Sequence, residues 1–139
     1  MLKKILGIII LAILVGGTFF MFAREIGSKS VSVDHTELNL QTKTSEGAVT
    51  IDLTPKEFDG KNFYVDIGVN THTVDLSQFD LKKLVTLEIN DVSMSPISAP
   101  SLSGHHNSGT LIFGLKEEPR DFTIEVREFP DMPVRIFEW

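Results

Sequence analysis

Cysteine is absent from the 139 residues. Disulfides, thiolate nucleophiles and any copper or zinc centre that needs a thiolate are thereby excluded. So is attachment as a bacterial lipoprotein. Acidic residues are missing from the first 23 positions; all 19 lie beyond them, against 13 Lys and Arg residues of which Lys3 and Lys4 come before. The remainder is therefore acidic and has no basic stripe to neutralise phosphates, so nucleic acid is not an expected partner. Internal repeats, low-complexity tracts and helical segments long enough for a crossover between parallel strands are lacking too.

What is present first is a long apolar run, residues 5–23, "ILGIIILAILVGGTFFMFA". At ~1.5 Å per residue a helix of that length spans roughly 28 Å, close to the ~30 Å hydrocarbon core of a bilayer. It has no polar face to show to water, unlike a surface helix, and it carries Gly16 and Gly17, which membrane helices tolerate. A cleaved signal peptide is the competing reading, with Ala23 as its last residue. Met21 stands where a small residue is wanted, and the run is longer than a usual signal core. The sequence predicts an uncleaved membrane anchor at 5–23, with residues 1–4 held in the cytoplasm by Lys3 and Lys4 and the rest outside.

Residues 24–46, "REIGSKSVSVDHTELNLQTKTSE", are polar and read as a stalk with at most one edge strand. From 47 to 139 the hydrophobic period is two. Strands are predicted at 48–54, ended by Pro55, and at 62–69, where Phe63, Val65, Ile67 and Val69 share a face. Val74 and Leu76 continue the apolar set with flipped parity, which predicts a bulge or kink at Asn70-Thr71 and turns His72 inward. Further strands are predicted at 84–90, 109–115, 121–128 and 133–139. Asp59-Gly60 suits a tight reversal, "SQFDLKK" a single helical turn, and "KEEPRD" (116–121) an exposed hairpin loop. With the continuation through Val74 and Leu76 these make seven short strands and predict an antiparallel β-sandwich, immunoglobulin-like or cupredoxin-like, with ten Phe and one Trp available for its core.

Between Asn90 and Gly109 no strand alternation is visible, and a loop of that length is often functional. It contains "SLSGHHNSG", with His105 and His106 bracketed by glycines. Neutral imidazole is the commonest transition-metal ligand, and His72 is the third candidate for such a site. An all-nitrogen set suits copper or zinc, with Met94 as an additional soft ligand. His35, in the stalk, reads as solvated. The alternative for the histidines is a purely structural turn. Other constellations are thinner. Ser101, Ser103 or Ser108 with His105 and Asp91 lists the parts of a hydrolytic triad, but without a nucleophile-elbow pattern. Asp75, Asp80 and Asp91 lack calcium-loop spacing and read as turn formers.

"THTVDL" (71–76), "GHHNSGTLIF" (104–113) and "VRIFEW" (134–139) together resemble a family of functionally uncharacterised prokaryotic exported or membrane-anchored β-domains, over roughly residues 50–139. The resemblance implies that His72, His105 and His106 belong to one pattern, and it implies no activity. Members often carry a tryptophan before the GHH segment, where this chain has "MSPISAPSLS". The expected role is non-enzymatic. It is either a metal-binding domain using His72, His105 and His106, or a structural or interaction module that docks on a membrane or envelope protein.

Overall fold

A computed structural model describes residues 35–139, and the predicted anchor at 5–23 and residues 24–34 of the predicted stalk lie outside the described residues. Among the described residues no helix is long and apolar enough to cross a membrane. The fold is mainly β, built as two antiparallel sheets. The strands are β1 (Thr36–Glu37), β2 (Lys43–Ser45), β3 (Val49–Phe58), β4 (Asn62–Thr71), β5 (Val85–Ile89), β6 (Val92–Met94), β7 (His106–Gly114), β8 (Thr123–Phe129) and β9 (Met132–Glu138). One sheet has the order β1-β3-β4-β7, with β2 also pairing β3; the other has the order β6-β5-β8-β9.

The period-two pattern acts as expected. Val49, Ile51 and Leu53 on β3, and Phe63, Val65, Ile67 and Val69 on β4, are buried, with their neighbours half-exposed. They meet Leu111 and Phe113 from β7, Val85 and Leu87 from β5, and Ile124 and Val126 from β8 in one core. Phe63 packs edge-on against Phe122 at 5.1 Å between ring centres, and Phe122 stacks on Trp139 at 5.2 Å. Burying such side chains contributes roughly 1.5–3 kcal/mol each before the entropy of ordering them.

Five expectations are corrected. Pro55 does not end its strand. On that edge β2 pairs with residues 51–53 and β1 with 57–58, so Pro55 falls in the gap between them, beside a register shift at Pro55/Glu57. Gaps and bulges are where a sheet tolerates proline. Within the stalk, residues 35–46 add two short strands to the sheet rather than one at most. β4 does not continue through a bulge or kink at Asn70-Thr71 to Val74 and Leu76. The strand stops at Thr71, whose hydroxyl donates to Ala48 O at 2.6 Å and accepts from Thr73 N and Val74 N, so it turns the chain out of the sheet. The 3-10 turn Leu76–Gln78 and a helical turn Leu81–Leu84 follow, capped by Asp75 and Asp80 as turn formers.

The fourth correction concerns the long loop. Asn90 and Asp91 both have positive φ (50° and 63°) and close a two-residue hairpin between β5 and β6. That is the backbone of a type I′ turn, which Asn and Asp tolerate better than other non-glycine residues. Beyond it, Ile97 and Ser98 bond to Ile112 and so lie along the edge of β7. Finally, "KEEPRD" is exposed apart from the buried Pro119 and is no hairpin, because it crosses from β7 in one sheet to β8 in the other.

Candidate functional site

Two of the three motif segments, 71–76 and 104–113, come together, and most residues of all three are explained by structure. In "THTVDL", Thr71 caps the end of β4, Asp75 accepts from Ser77 N at 3.0 Å, and Leu76 is fully buried. In "GHHNSG", Gly104 adopts φ 61°, and Asn107 braces Ser103 through two hydrogen bonds. A Cβ on Gly109 would lie 2.6 Å from the Pro100 ring. The two segments are stitched by Thr71 N donating to His105 O at 2.9 Å and Leu76 N donating to Gly104 O at 3.2 Å.

The ending is equally structural. Trp139 stacks on Phe122 and donates Nε1–H to Gln41 O at 2.9 Å. Arg135 faces inward and is 2% exposed. Its Nη1 donates to Ser45 O and Ser45 Oγ, both at 3.0 Å, and its Nη2 reaches Asp131 Oδ1 at 3.4 Å. Asp131 in turn accepts from Ala48 N at 2.6 Å. Burial lowers the Arg135 pKa from its ordinary value and the Asp131 charge opposes that shift. Sequence reading missed this tie. The parity of Arg135 with Phe137, an inward position, was the available signal.

The histidines divide. His105 Nδ1 lies 3.2 Å from Val74 O. A carbonyl only accepts, so Nδ1 carries the proton and the ring is held against its own motif partner. His106 Nδ1 lies 3.1 Å from Asn70 Oδ1, its register partner across β4 and β7, which fixes its tautomer in the same way. His72 is exposed, against the expectation that it tends inward, because the chain has already left the sheet at Thr71. Its ring meets that of His106 edge to face, 5.5 Å between centres. Among the described residues no group of three or more His, Cys, Asp or Glu side chains is placed to hold a metal ion. Thus His72 and His106 are brought together, and the three-imidazole cluster expected from the sequence is not formed. Met94 is on β6 of the other sheet, half-buried against the core.

A second feature lies on β9. Phe122 and Trp139 exchange both backbone hydrogen bonds. By antiparallel alternation, residues 135 and 137 also bond toward β8, while the N–H and C=O of Val134, Ile136 and Glu138 point away from it. Among the described residues no backbone bond takes up those groups. Their side chains line the outer face, where Val134 and Ile136 are 36% and 59% exposed, while Met132, 40% exposed, lies with its sulfur 3.9 Å from Ser45 Oγ of the other sheet. The other edges are blunted. β3 is covered by β1 and β2, β7 carries the Ile97–Ser98 strap, and β6 has only three residues. Apolar residues at both parities of "MPVRIFE" were the sequence signal for a strand that is apolar on both faces.

Comparison of the chain with family models, with curated proteins and with solved structures finds no match.

Proposed function

We propose that this chain is a membrane-tethered module displayed outside the cytoplasmic membrane, acting by binding an envelope or membrane protein rather than by catalysis. One observation carries the reading: β9 is a seven-residue edge strand with unpaired backbone groups and an exposed apolar row. Proteins ordinarily protect such an edge with charge, proline, bulges or a covering segment. Here Pro133 sits at the start of the strand and Glu138 at its end, and the intervening edge is open. An extended strand of a partner would add to it through main-chain hydrogen bonds, and Val134 and Ile136 would supply apolar contact. The apolar run at 5–23, with Lys3 and Lys4 before it, supports the tether and its orientation.

The test uses the full chain in its own membranes. Protease added to intact spheroplasts is expected to degrade the β-domain. Mild detergent extraction followed by native electrophoresis is expected to give a species larger than the free chain, lost in Ile136→Lys and retained in Thr86→Lys, which changes the same sheet away from the edge. Protection from protease overturns the topology. A complex indifferent to Ile136→Lys overturns the docking edge.

A further inference from the structure

We propose that His72 and His106, with Asn70 behind them, form a two-imidazole site for a divalent transition-metal ion, Cu(II) ahead of Zn(II). The inference is independent of the β9 edge. It begins from what is left over. In the two motif segments, Thr71, Asp75, Leu76, Gly104, His105, Asn107 and Gly109 each have a structural task given above. His72 and the outer nitrogen of His106 have none.

The spacing fits a shared ion. A metal–nitrogen bond of about 2.0–2.1 Å, plus about 1.1 Å from nitrogen to ring centre, puts two imidazole centres about 5.2 Å apart on a tetrahedral ion and about 4.5 Å apart at adjacent positions of the tetragonal site that Cu(II) prefers. The observed separation is 5.5 Å, with the ring planes at 75°. The rings are thus close enough for one ion to bridge them once the exposed His72 side chain rotates to aim a nitrogen at the space beside His106.

The tautomer fits as well. Because His106 donates Nδ1–H to Asn70 Oδ1, its Nε2 is left with the lone pair. A ligating histidine is commonly oriented by an oxygen acceptor on its other nitrogen in this way. Asn70 is then a positioning residue. His105 is held by Val74 O and is not counted as a ligand. Both histidines are exposed, so water can reach the space between them to complete the coordination. Two neutral nitrogens with water follow the general affinity order in which Cu(II) exceeds Zn(II).

The experiment is titration of the untagged full chain in detergent with Cu(II) alone, followed by electron paramagnetic resonance. One ion per chain is expected, with superhyperfine splitting from two nitrogens. His72→Ala and His106→Ala should each weaken binding at least about tenfold, and Asn70→Ala also about tenfold, with recovery in Asn70→Asp, which keeps an oxygen acceptor. His105→Ala and His35→Ala should leave affinity and spectrum unchanged. Circular dichroism of each metal-free variant checks that it is folded. No bound ion, or a spectrum untouched by His72→Ala, overturns the site. Loss in His105→Ala equal to that in His72→Ala overturns the two-ligand assignment.

Discussion

The guanidinium of Arg135, on β9, donates to the backbone oxygen of Ser45, on β2, at 3.0 Å. The two residues belong to different sheets, so this bond ties the two sheets together. Removing the guanidinium vacates a buried position and leaves the part-buried Ser45 oxygens without their donor. Arg135→Ala is therefore expected to destabilise the domain by about 1–3 kcal/mol. Arg135→Lys should recover only part, because a single ammonium cannot span both Ser45 and Asp131 as the planar fork does. Urea unfolding of the three proteins gives the comparison; equal midpoints would contradict the tie.

Gly109 is required by its neighbour rather than by its own backbone. A Cβ there would stand 2.6 and 2.8 Å from Pro100 carbons. Gly109→Ala should lift the 95–104 strap from the edge of β7 and cost roughly 1–3 kcal/mol, the usual range for overpacking. Limited proteolysis should then cut within the strap faster than in the parent chain. An unchanged cleavage rate would mean that the strap does not depend on this contact.

Asp59 carries a pH dependence. Its carboxylate accepts from the Tyr64 hydroxyl at 2.7 Å, from Asn62 N at 2.6 Å, from the Asn62 side chain at 3.1 Å and from Lys61 N at 2.9 Å. These bonds, that of Tyr64 foremost, hold its pKa well below the ordinary 3.8, and the same bond pushes the Tyr64 phenol up. A folded value below the unfolded one means that the stabilisation is fully present above pH 3.8 and fades as pH falls toward the folded value. Asp59→Asn should thus be less stable than the parent at neutral pH, and the gap should close progressively below 3.8. Urea midpoints measured down the acid range check it; a gap that stays constant would show that the carboxylate charge is not the cause.

Much of the fold was legible in the sequence because burial on one face writes itself as period two. Phe63, Val65, Ile67 and Val69 specify β4 without help from any other segment. The errors fall where a side chain or a neighbour overrides that period. Thr71 ends β4 through hydroxyl bonds that alternation does not register, and so His72 turned outward. Pro55 is tolerated because of a gap on an adjacent edge, which only the pairing of β1 and β2 reveals. β6 follows from Asn90-Asp91, a weaker turn signal than Asn-Gly. Of the candidate site, the residue types were legible and their meeting was not. His72 and His106 are neighbours because β4 and β7 pair, and that pairing is between strands distant in sequence. Asn70 and Arg135 acquire their roles only through partners on other strands.

The central claim is that β9 docks a partner through its open edge, and site-specific photocrosslinking from within β9 tests it most directly. A photoreactive residue at position 136 of the full chain, irradiated in intact cells, is expected to give a discrete adduct heavier than the chain. The same residue at position 86, on the outer face of the same sheet, is expected to give none. An adduct of twice the chain mass would identify a second copy as the partner. No adduct from position 136, a crosslink confined within the chain, or equal adducts from both positions would contradict the account.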